Sequence, residues 1–175
     1  MLSDDDTGGG ELAVTGHVGR IVALTGAHAV ILIDAGSGAN RAKAPEIGTL
    51  LRVDTPRSIA LCIVSALSSP MPSQTPEEAE LRIIEVEFLG ELPKDGNGQP
   101  TAFQRGISSY PSLGDDVFRA SKHELRKAYA FDSDSAIRIG RITQDETIPA
   151  MVKIDDLLGK HFAILGTTGT GKSCT

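Results

Sequence analysis

From Gly16 to about Leu92 the pattern of apolar and polar positions predicts a series of short strands. His17 to Leu24 is a strand, with Val18, Ile21, Val22 and Leu24 apolar. Gly26 marks a turn and Val30 to Ile33 is a second strand. Gly36-Ser37-Gly38-Ala39-Asn40 reads as a loop, and Thr49 to Val53 as a third strand. Ile59 to Leu67 is almost continuously apolar, which predicts a fourth strand covered on both faces. Pro70, Met71, Pro72 and Pro76 form a loop. Leu81 to Leu89 alternates again through Leu81, Ile83, Val86 and Phe88, a fifth strand. Asp95-Gly96-Asn97-Gly98 is a turn signal. Short strands at regular spacing with no helix between them predict a small antiparallel barrel.

The pattern then changes. Ser121-Lys122-His123-Glu124 has the form of a capping box and opens a helix to Tyr129, with Leu125, Ala128 and Tyr129 on its apolar side. Two short strands follow, Ile137 to Ile142 and about Ile148 to Val152, then a turn at Leu157-Leu158-Gly159 and a last strand at His161 to Leu165. Met1 to about Ala13 is acidic and glycine-rich and reads as a disordered tail. The expected organisation is a tail at 1–13, a β-barrel domain at 14–150 and, from 151 to 175, the start of a second domain.

Composition refines this only in places. The chain has 175 residues, of which 40% are hydrophobic but only 4% aromatic, with no Trp, so the core must be built from Ile, Leu, Val and Ala. A net charge of -6 argues against a surface that grips a nucleic-acid backbone by itself. Two unclustered cysteines, Cys62 and Cys174, fit a reducing cytoplasm, and the N-terminus lacks the basic start and apolar stretch of a secretory signal. No apolar run approaches the ~20 residues that span a bilayer, so no membrane partner is expected.

The chemistry lies near the C-terminus. Gly166-Thr167-Thr168-Gly169-Thr170-Gly171-Lys172-Ser173 fits G-x-x-x-x-G-K-[ST], fed by the apolar strand Phe162-Ala163-Ile164-Leu165. Phosphates carry dense negative charge, and backbone N–H groups in a tight loop converge on them. Gly166, Gly169 and Gly171 allow close approach of the backbone, and a helix beginning near Lys172 turns its positive end to the same phosphates. Lys172 neutralises the β and γ phosphates and is the catalytic candidate. The Ser173 hydroxyl suits Mg²⁺, which prefers hard oxygen ligands. Cys174 falls in the first turn after the loop and completes the nucleotide-binding set of residues 166–174. The expected cofactors are ATP and Mg²⁺. Hydrolysis also needs an acidic strand residue and often an arginine from a neighbour, both expected beyond Thr175, so the 175-residue piece alone is expected to be inactive.

Other polar residues carry less. His17, His28, His123 and His161 lack ligand spacing. Asp115-Asp116 and Asp155-Asp156 are expected in solvated turns, and Asp145-Glu146 at a hairpin tip. Arg105, Arg119, Arg138 and Arg141 read as solvated, and Ser58, Ser65 and Ser108 have no nucleophile context.

The run His161 to Ser173 closely resembles the entry to the ATPase domain of HerA/FtsK-type proteins. Ile139-Gly140-Arg141, Ile148-Pro149 and Leu157-Leu158 resemble the lead-in of the same family. Gly16 to Ile21, Ile47 to Val53 and Tyr110 to Val117 resemble the opening strand, the middle and the closing turn of the barrel shared by HerA and the rotary ATP synthases. The resemblance implies a mainly β fold: a small antiparallel β-barrel followed by the first strand and P-loop of a RecA-like α/β ATPase domain. It further implies a self-assembled hexameric ring that hydrolyses ATP and translocates double-stranded DNA, a helicase-like activity. A NurA-type nuclease or other effector is the implied partner, in DNA repair or phage defence. Two other readings stay open: a different P-loop NTPase, such as a GTPase or kinase, or a barrel that acts alone in assembly and docking.

Overall fold

A computed structural model describes residues 16–33, 45–69, 82–129 and 135–159, together with Ala163. The predicted tail, the loop at 36–40, the proline-rich loop, the strand at His161 to Leu165 apart from Ala163, and the phosphate-loop motif lie outside the described residues. The chain divides into two compact units, residues 1–124 and 125–175.

The first unit is a barrel. Its strands are β1 (His17–Leu24), β2 (His28–Ile33), β3 (Leu50–Asp54), β4 (Ser58–Ser68), β5 (Ile83–Pro93), β6 (Gln104–Arg105) and β7 (Asp116–Arg119). The hydrogen-bonded order is β2-β1-β7-β3-β4-β5, and β5 pairs back with β2, which closes a six-stranded barrel. Every pairing is antiparallel. Closure leaves those six strands without a free edge, and β6 is a two-residue addition on β5 at Gly90 and Glu91.

The alternation in the sequence becomes the inner face. Val18 and Ile21 of β1, Ile31 of β2, Leu51 and Val53 of β3, Ile84 and Val86 of β5, and Val117 of β7 form one buried cluster. On β4 the cluster takes Ala60, Cys62 and Val64. Ile59 and Leu61, which alternate with them toward the opposite face, are buried as well. The unbroken apolar run of β4 therefore reflects burial on both faces, as its sequence predicts. Burial also pushes the Cys62 thiol up to about 12, so it stays protonated and acts as a small apolar side chain.

Gly90 and Gly98 show two different reasons for a glycine in this unit. A Cβ on Gly90 would collide with the Gln104 carbonyl and the Phe103 ring, so Gly90 is what lets the 103–105 segment lie on β5. Gly98 has a φ of 78° and ends the turn that Asp95 organises by accepting hydrogen bonds from the Asn97 and Gln99 amides at 2.9 and 2.8 Å.

The sequence pattern finds five of the six barrel strands. It misses β7, which has one fully buried residue, Val117, between Asp116 and Phe118. The region read by resemblance as a closing turn ends in this strand, which joins β1 to β3.

Helix α1 (Lys122–Tyr129) begins in the first unit and runs into the second. Its capping box forms as predicted: Glu124 accepts from the Ser121 amide at 2.6 Å and its own amide donates to Ser121 Oγ at 3.3 Å. In the second unit β8 (Ala136–Ile142) and β9 (Asp145–Lys153) form a separate two-stranded antiparallel sheet. The hairpin turn is Thr143-Gln144 rather than Asp145-Glu146, because Asp145 opens β9 opposite Ile142. Ile154–Leu158 is a short helix α2, which takes in Leu157 and Leu158 of the predicted turn and is closed by a hydrogen bond from the Gly159 amide to the Asp155 carbonyl at 2.9 Å.

Candidate functional site

The nucleotide-binding candidates Gly166, Thr167, Thr168, Gly169, Thr170, Gly171, Lys172, Ser173 and Cys174 lie outside the described residues. Their case rests on chemistry: a glycine-lined loop of amides, one ammonium and one hydroxyl are a donor set that fits a triphosphate with its Mg²⁺. The approach to the loop is described, and runs through β8, β9 and α2.

The remaining candidates fall into structural roles. His17 Nε2 lies 3.2 Å from Asp116 Oδ1, and its ring meets Phe118 edge-on. Asp115 accepts from the Ser112 amide at 2.7 Å and so fixes a turn, which leaves the two adjacent acids with separate jobs. Asp155 and Asp156 are exposed in the first turn of α2. Arg105 is exposed on β6, and Arg138 and Arg141 are exposed on β8, with Arg141 donating to the Glu146 carbonyl at 3.2 Å. Among the described residues no group of three or more His, Cys, Asp and Glu is placed to hold a metal ion.

Two polar clusters were not legible in advance. Glu91 is buried in β5 and accepts from Ser58 Oγ at 2.8 Å, from Ser108 Oγ, and from the Ser109 amide at 3.3 Å. Burial alone would push its pKa up, but the hydrogen bonds from Ser108, Ser58 and Ser109 outweigh it and hold the carboxyl below its ordinary value. Ser58 and Ser108 thus act as donors to a carboxylate, with no base to make either a nucleophile. The signal was a lone charge inside Phe88-Leu89-Gly90-Glu91-Leu92. In the second cluster Arg52 of β3 donates to Glu124 at 3.2 Å and to Asp54 at 3.0 Å, with its guanidinium 5.3 Å from the Phe118 ring centre. Lys94 lies 3.1 Å from the same Asp54. These contacts hold the first turn of α1 to the barrel wall.

Residues 137–175 match the family model "Helicase HerA, central domain". The match begins on β8, takes in β9 and α2, and runs through the whole phosphate-loop motif. It supports a HerA/FtsK-type P-loop ATPase fragment, and with it ATPase chemistry in general terms. No curated protein matches the chain. No helix among the described residues is long and apolar enough to cross a membrane.

Proposed function

We propose that this chain is the ATP-binding part of a HerA-like ring ATPase that translocates double-stranded DNA. The observation that carries the reading is the family match over residues 137–175, which contains Gly166 to Ser173 and follows a closed β-barrel. In this reading residues 14–150 are the barrel domain with its approach, and residues 151–175 begin the ATPase domain. ATP supplies the free energy of phosphoryl transfer when bound with Mg²⁺. The amides of Gly166 to Gly171 would donate to the phosphates, Lys172 would neutralise the β and γ phosphates, and Ser173 would offer its hydroxyl to the metal. Cys174 follows them directly in the sequence and completes the proposed set.

The ring is a cytoplasmic hexamer of this chain, and its barrels face a nuclease of the NurA type or another effector. DNA passes through a part of the protein outside these 175 residues, which agrees with a net charge of -6 on the piece that does not grip it.

The test is ATP hydrolysis by the full-length protein with and without double-stranded DNA, beside the Lys172→Ala variant. Hydrolysis stimulated by DNA in the parent and lost in the variant is the expected result. Equal rates in the two would end the proposal, and a preference for GTP without DNA stimulation would move the chain to another class of P-loop NTPase.

A further inference from the structure

We draw no further inference here: the strongest candidate, the exposed apolar residues Val22, Tyr110 and Leu113 at the β1–β2 hairpin end of the barrel, is an unpartnered surface, and nothing in the structure shows what covers it.

Discussion

The barrel and the β8–β9 hairpin are both antiparallel and both rich in Ile and Val, yet they use those residues differently. In the barrel, alternate apolar side chains converge on a closed interior, and Ile21, Ile31, Ile84 and Val117 are almost wholly buried. In β8, Ile137 is 44% and Ile139 64% exposed, and Leu158 of α2 is 64% exposed. Six strands closed on themselves bury one face of every strand, whereas among the described residues of the hairpin only Ile148 of β9 is fully buried. Stability therefore concentrates in residues 16–124, while the phosphate-binding motif belongs to the other unit. Substitutions should separate the two: those in the barrel should move unfolding, and those in the loop should move nucleotide binding.

The largest effect is expected in the barrel interior. Ile84→Ala removes most of a fully buried side chain and should lower stability by about 2–5 kcal/mol. Chemical unfolding followed by circular dichroism would measure it, and a loss below about 1 kcal/mol would mean that the barrel core is not closed around β5.

The Glu91 cluster comes next. Glu91→Gln replaces a carboxylate that accepts from Ser58, Ser108 and Ser109 with an amide that brings donors of its own, at a cost of about 1–3 kcal/mol. Its pH dependence has a definite sign. A carboxyl whose pKa is depressed on folding contributes stability that is present above its unfolded value near 4.5 and is lost as pH falls through the folded value. Acid unfolding of the parent should steepen below about pH 4.5, and Glu91→Gln should flatten that part of the curve. An unchanged acid limb in the variant would remove Glu91 from the account.

Arg52→Ala should cost about 1–3 kcal/mol, because it leaves Glu124 buried without its cation. Hydrogen exchange should show faster opening of the first turn of α1, with the barrel strands still protected. The smallest effect is expected on β8, where Ile139→Ser should change stability by less than about 0.5 kcal/mol. A large loss there would show that the exposed face of this hairpin contributes to folding after all.

The difference between the units also explains what the sequence could reveal. Strand β1 matches its predicted limits, His17 to Leu24, because its period-two pattern and the flanking Gly16 and Gly26 are local signals. The capping box at Ser121 and Glu124 is likewise local. Closure of the barrel through β2 and β5 joins His28 to Glu87, far apart along the chain, so no local pattern encodes it. The same holds for Glu91, whose donors come from β4 and from the 108–109 loop and meet only once β4 and β5 are in register. Strand β6 has two exposed residues and β7 a single fully buried one, too few for a period to show. The phosphate-binding motif is the opposite case: its chemistry is written in eight consecutive residues, so it is legible without any tertiary structure.

The central claim is tested most directly by equilibrium binding of ATP, with Mg²⁺, to the full-length protein and to Lys172→Ala. Saturable binding by the parent, weakened at least ~10-fold in the variant while the barrel's unfolding transition stays where it was, is the predicted result; each 10-fold step is about 1.4 kcal/mol. No binding of any nucleoside triphosphate by the folded parent would contradict it.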